Sequence, residues 1–134
     1  VFNMGSLGEA DDQRGVAHFI EHMAFNGSTH VPEGEMIPLL ERHGLQFGPD
    51  TNAFTGFDTV GYQLDLPEAD TESIDTALFI MRETASELVF DPEAIDRERG
   101  VILSEERFRN TAIRRWSTAL QYFQLPGTLI PERD

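Results

Sequence analysis

The stretch Gly15-Val16-Ala17-His18-Phe19-Ile20-Glu21-His22-Met23-Ala24-Phe25-Asn26-Gly27-Ser28 sets two histidines and a glutamate against an apolar stripe. Each residue of an α-helix advances about 100° around the axis. His18 and His22 therefore stack one turn apart on one face, with Glu21 beside them. Val16, Phe19, Ile20 and Met23 fall at i, i+3, i+4 and i+7 on the opposite side. The spacing predicts a helix from about Asp12 to Phe25, with Asp11 or Asp12 near its N-cap and Gly27 suited to a left-handed stop.

Two histidines four residues apart on a helix can both reach one Zn²⁺ at the usual ligand distance of ~2.0–2.1 Å. A glutamate beside them can take a proton from a water whose pKa the metal lowers to about 7. The spelling His-x-x-Glu-His is the inverse of the His-Glu-x-x-His zinc signature. A lone histidine is more often a satisfied core or surface residue. Three site residues aligned opposite an apolar stripe argue against that ordinary reading.

Composition narrows the partners. The chain has 134 residues, enough for one ordinary domain, and carries 24 acidic against 10 basic residues for a net charge of −14. Every basic residue is an arginine. A surface this acidic repels nucleic-acid phosphates and anionic lipid, so neither is expected as a partner. No apolar run is long enough to cross a bilayer; the longest candidate, around Ala77 to Met81, is flanked by Asp75 and Arg82. With no cysteine, neither a disulfide nor a thiolate metal ligand is available. The chain opens with Val1-Phe2-Asn3, with no signal-peptide pattern, and starts as if already inside a strand.

Outward from the decisive stretch, a short helix is expected over about Glu35 to His43, with Pro38 tolerable only in its first turn and Gly44 as the stop. Leu45 to Phe47 and Asn52 to Thr55 read as short extended segments. Val60, Tyr62, Leu64 and Leu66 alternate with Gly61, Gln63 and Asp65, a strand that Pro67 ends. Ile74, Leu78, Met81, Ala85 and Leu88 keep helical spacing. Asp91-Pro92-Glu93 opens a further long helix, with Asp as N-cap and Pro at the first helical position. Its inner face would hold Ile95, Ile102, Leu103 and Phe108. A last helix is expected from Ala112 to Phe123, broken by Leu125-Pro126-Gly127. Helices and strands in separate blocks, with strands close enough to pair antiparallel, indicate an α+β fold.

A catalytic zinc takes three protein ligands and keeps one position open. His30 and His43 have no partner at ligand spacing, so a carboxylate is the natural third ligand. Several stand available. Glu98 and Glu105 are seven residues apart on one face of the long helix, and Glu106 points about 100° away from Glu105.

The segment from Gly15 to Ser28 resembles the active-site helix of the insulinase/pitrilysin family of zinc metallopeptidases, which includes the mitochondrial processing peptidases. Two further motifs follow in the same order. Thr51-Asn52-Ala53-Phe54-Thr55 with Asp58-Thr59-Val60-Gly61-Tyr62 is similar to the family's strand pair beside the active site. Glu98-Arg99-Gly100-Val101-Ile102-Leu103-Ser104-Glu105-Glu106 resembles its downstream helix. The resemblance covers nearly the whole chain. It implies that His18, His22 and Glu105 bind one zinc ion, that Glu21 is the general base, and that Glu98 supports the site from behind the ligands. It implies an antiparallel sheet with helices packed on one face, as in a processing-peptidase-like half-domain. It also implies that a peptide substrate adds to the strand edge near Asn52, Ala53 and Phe54.

Family members close a chamber with a second homologous domain or subunit, whose Arg/Tyr pair helps bind substrate. Residues 1–134 are expected to be a single partial domain holding the catalytic core, with little activity alone. Hydrolysis of peptides or unfolded polypeptides is the activity the resemblance implies. A non-catalytic scaffold or partner subunit is the competing reading, although such members usually lose motif residues, and all five are present here. A lyase of the S-ribosylhomocysteine type also uses His-x-x-Glu-His but takes its third ligand from cysteine, which is absent. The motif spelling resembles bacterial members, implying a periplasmic or otherwise exported protein; a cytoplasmic location is the alternative.

Overall fold

A computed structural model describes residues 1–46, 48 and 51–133. Its elements run α1 (Val16–Met23), α2 (Met36–Arg42), β1 (Thr51–Thr55), β2 (Val60–Leu64), α3 (Thr71–Ser86), α4 (Pro92–Arg109) and α5 (Ala112–Gln124), with short 3₁₀ turns at Ser6–Gly8, Asp11–Gln13 and Ile130–Glu132. β1 and β2 pair antiparallel, with Ala53 opposite Tyr62 and Phe54 opposite Gly61. The α+β arrangement expected from the segregated blocks is the one observed.

Helix α1 is shorter than its sequence suggests. Asp11 and Asp12 belong to a separate 3₁₀ turn, and the residue preceding α1 is Gly15, at φ 88°. That left-handed backbone suits glycine and would strain most other residues. The cap comes from a distance: the Glu9 carboxylate accepts from the Gly15 amide at 2.9 Å and the Ala17 amide at 2.8 Å. It satisfies amides that a helix start leaves unpaired and places negative charge at the positive end of the helix dipole. The helical assignment ends at Met23, short of Phe25.

Helices α3, α4 and α5 start where side-chain caps allow. Asp70 accepts from the Ser73 amide, Asp91 from the Glu93 and Ala94 amides, and Thr111 from the Arg114 amide. Pro38 lies in the first turn of α2, where a missing N–H costs nothing, and Gly44 follows the helix at φ 78°. Leu45 lies outside any strand and is buried in the core instead; Phe47, the end of that expected extended segment, is outside the described residues.

The principal core cluster gathers Val31, Met36, Leu40, Leu45 and Ile80, with Phe25, Leu39, Leu64, Leu66 and Phe79 packed against it. Three expected inner faces are not buried in this way. On α1, Met23 and Ala17 are buried while Val16 and Ile20 are exposed. On α3 the buried residues are Ser73, Ile80 and Glu83, while Ile74, Leu78 and Ala85 are exposed. On α4 only Ala94 is buried, and Leu103 and Phe108 stand exposed. Among the described residues these faces are only partly covered.

Glu83 replaces an apolar contact on α3. Its fully buried carboxylate accepts from the Ser28 hydroxyl (2.7 Å) and the His30 amide (3.1 Å), and lies 3.0 Å from His30 Nδ1. Burial alone would push this carboxyl up; the Ser28 and His30 donors outweigh it and hold it below its ordinary value. The segment leaving α1 is thereby tied to the end of α3, with Thr29 N–H bonded to the Glu87 carbonyl and Val89 N–H to the Gly27 carbonyl.

The N-terminal segment braces the hairpin. Phe2 bridges Val60, and the Ser6 and Leu7 amides donate to the carbonyls of Gly56 and Phe57 at 3.0 and 2.8 Å. Gly5 makes this approach possible, because a Cβ there would stand 2.3 Å from the Gly56 carbonyl oxygen. Gly5→Ala is expected to cost about 1–3 kcal/mol of stability, the usual penalty of forced overpacking. Gly8→Ala, whose Cβ would meet Met4 Cγ at an ordinary 3.5 Å, is the control. Thermal unfolding of both variants checks this; equal midpoints would contradict it.

Candidate metal centre

Helix α1 packs against both strands of the hairpin and against α4. That packing brings three expected site residues together. His18 Nε2 and His22 Nε2 are 3.2 Å apart, and Glu105 Oε2 lies 3.4 Å from each. A tetrahedral ion with bonds of ~2.0–2.1 Å separates its donor atoms by about 3.3–3.4 Å. The three atoms thus already form one face of such a tetrahedron. Glu105 Oε2 is buried without a hydrogen-bond partner, whereas the same carboxylate's Oε1 is held by Arg109 at 2.5 Å. A buried carboxylate oxygen left unpaired between two imidazole nitrogens fits a cation and fits little else. Among the described residues this is the only group of three or more such side chains whose donor atoms converge.

Burial pushes the His18 imidazole below its ordinary value, and the neighbouring His22 adds to the shift; Glu105 and Glu21 oppose it. A depressed value keeps this ring neutral at neutral pH, with a lone pair free for a metal. His22 is held from behind, its Nδ1 lying 2.7 Å from Glu98 Oε1. A carboxylate at Nδ1 favours a proton there and leaves the Nε2 lone pair facing His18 and Glu105.

Glu21 stands apart from the triangle. Its Oε2 accepts from the Thr55 hydroxyl on β1 at 2.5 Å. Tyr62 lies near enough for the Glu21 charge to act on it; burial first, and then that charge, push its phenol up to about 12, so it stays protonated. A cleft of about 670 Å³ opens beside His18 and Glu105, walled by Thr55 and Phe57 on one side and Ile102 and Arg109 on the other.

The remaining expected site residues lie on β1. Asn52 and Phe54 are exposed, and Ala53 is half-buried. The Phe54 ring covers Gly61, where a Cβ would meet it at 2.4 Å. The Ala53 amide donates to the side-chain oxygen of Asn52 and not to β2, so this amide faces the edge of β1 away from its partner.

Sequence reasoning missed four contributors. Glu9 caps α1 from across a 3₁₀ turn, and no local spacing signals it. Thr55 and Asn26 sit inside motifs already quoted, but their partners Glu21 and Glu98 come from other elements. Arg109 follows Glu105 by four residues, an ordinary helical ion-pair spacing that could have been noted.

The family model for the insulinases, peptidase family M16, matches residues 1–125. The chain belongs to this family. A probable zinc protease, PqqL of Haemophilus influenzae, is 38% identical over the full chain, and the chain spans 14% of that relative's length. The mitochondrial-processing peptidase β subunit of Dictyostelium discoideum is 32% identical over 78% of the chain, which spans 21% of it. The crystal structure of the first half of the periplasmic protease PqqL from Escherichia coli superposes with a TM-score of 0.93 at 39% identity, covering 98% of this chain and 28% of that one. Peptidase family membership and the half-domain fold therefore stand together. No helix among the described residues is long and apolar enough to cross a membrane.

The donor triangle makes a direct forecast. His22→Ala and Glu105→Gln should each weaken zinc binding by more than about 100-fold, beyond the 10–100-fold typical of groups that only orient a ligand. Chelator competition measures it; an unchanged affinity in Glu105→Gln would remove the third corner.

Proposed function

We propose that this chain carries the metal centre of a zinc-dependent endopeptidase that hydrolyses peptides or unfolded polypeptides. The observation that carries the reading is the triangle of His18 Nε2, His22 Nε2 and Glu105 Oε2, with sides of 3.2, 3.4 and 3.4 Å. In this reading those three residues hold one zinc ion and Glu98 fixes the tautomer of His22. Zinc there would supply Lewis-acid activation of a water and polarisation of the scissile carbonyl.

The chain's own residues do the rest. Glu21, next to a ligand on the same helix, takes the proton of the attacking water and delivers it to the leaving amine. Thr55 holds one of its oxygens, which keeps the carboxylate directed and leaves the other oxygen for the water. The outward edge of β1 at Asn52, Ala53 and Phe54 takes the substrate as an added strand. Main-chain pairing of this kind accepts many sequences, which suits an enzyme acting on unfolded polypeptide. Because β1 also carries Thr55, substrate docking and base orientation share one strand.

Residues 1–134 act in this proposal as one part of a larger peptidase, completed by a second homologous domain or subunit that closes the chamber. The similarity to a protein described as a periplasmic protease supports a periplasmic location.

The test is peptide hydrolysis by the zinc-loaded full-length gene product. Glu21→Gln is expected to keep its zinc while losing about 10²–10⁴ in turnover, the range of general acid–base catalysis. Thr55→Val should lower kcat with zinc content unchanged, and Thr55→Ser should restore it. A Glu21→Gln variant as active as the parent would refute the assignment of the base. A zinc-loaded parent that cleaves no unfolded polypeptide would favour the scaffold reading.

A further inference from the structure

Asn26 lies four residues beyond His22, in the turn that leaves α1. Its side-chain nitrogen carries two hydrogens, and both have acceptors: the His22 carbonyl at 3.1 Å and Glu98 Oε2 at 2.9 Å. The other Glu98 oxygen stands 2.7 Å from His22 Nδ1. These contacts form a closed loop. It runs from the His22 ring through both oxygens of Glu98 to Asn26, and from Asn26 back to the backbone of His22. Glu98 is largely buried, its side chain 12% exposed.

We propose that Asn26 is a positioning residue for the metal centre, acting through Glu98 on His22. The proposal rests on the reading of His22 as a ligand. A glutamate's terminal torsion is soft, with broad two-fold wells. A carboxylate held at one oxygen by a histidine alone can turn about it. Asn26 fixes the second oxygen and so sets the plane of the carboxylate, because the asparagine itself is anchored to the helix whose histidine Glu98 must meet. The consequence reaches the metal position. A neutral imidazole carries its proton on one nitrogen only. A Glu98 oxygen fixed at Nδ1 keeps the proton there and the Nε2 lone pair open. If Glu98 turned away, the proton could settle on Nε2 and block the metal.

The backbone offers Asn26 a second role, as an ordinary helix-end cap through the His22 carbonyl. The two roles separate experimentally. Zinc affinity of the full-length gene product, measured by chelator competition, is expected to fall about 10–100-fold in Asn26→Ala. The unfolding midpoint of the metal-free protein should move by less than about 4 °C. Glu98→Gln should weaken zinc comparably. The double variant should be no weaker than Glu98→Gln alone, because groups acting through one another do not add. Asn26→Asp keeps the size and can retain the fold, but it sets one carboxylate against another and should bind zinc more weakly than Asn26→Ala.

Unchanged zinc affinity in Asn26→Ala and Asn26→Asp, or losses in Asn26→Ala and Glu98→Gln that add in full, would overturn the proposal while leaving the metal reading intact. Zinc binding by the parent that survives His22→Ala would overturn both.

Discussion

Everything at this centre depends on holding a glutamate oxygen of α4 at one distance, 3.4 Å, from two histidine nitrogens of α1. The histidines alone are easily placed, since one helical turn separates them. The third corner must come from Glu105, more than eighty residues away in sequence, and one oxygen of its carboxylate must give up water without gaining a hydrogen-bond partner. Such a group is costly to bury unpaired. It is tolerable here because Arg109 neutralises its other oxygen and because the site has the dimensions of a cation.

The remaining structure can be understood as support for that distance. Glu9 fixes where α1 begins, and the Glu83 cluster fixes the segment that follows it. Between them the eight residues of α1 have little freedom to slide along α4. Glu98 and Asn26 then tie the two helices together beside the donor triangle, not only through apolar packing. Polar links suit this task. Apolar contacts between α1 and α4 would hold the helices together but tolerate small shifts, whereas hydrogen bonds to a charged group are short and directional. The hairpin adds a third element, delivering Thr55 to Glu21 and presenting an unpaired edge alongside.

Much of this was legible in the residues. The helical stacking of His18, Glu21 and His22 follows from spacing alone. So do the antiparallel hairpin and the Asp91-Pro92 start of α4. Spacing also placed Glu98 and Glu105 on one face, but it could not rank them. Their different positions, one at Nδ1 and one between two Nε2 atoms, depend on how α4 crosses α1. The apolar stripes were the weaker guide. Hydrophobic periodicity at Val16 and Ile20, at Ile74 and Leu78, and at Leu103 and Phe108 marks faces suited to burial. It does not say which segment covers them, and among the described residues they are left partly or largely exposed. The start of α1 misled for a different reason. Asp11 and Asp12 are good local caps, but Gly15 turns the chain and a distant carboxylate takes over.

Zinc K-edge X-ray absorption on the zinc-loaded protein tests the central claim most directly, because it reads the ligand set without relying on activity. The account requires two imidazole nitrogens and one carboxylate oxygen at ~2.0–2.1 Å, with a light-atom ligand in a fourth position. A shell with one imidazole or none, or an all-oxygen shell of six, would mean that the metal sits elsewhere and that the triangle of His18, His22 and Glu105 is not its site.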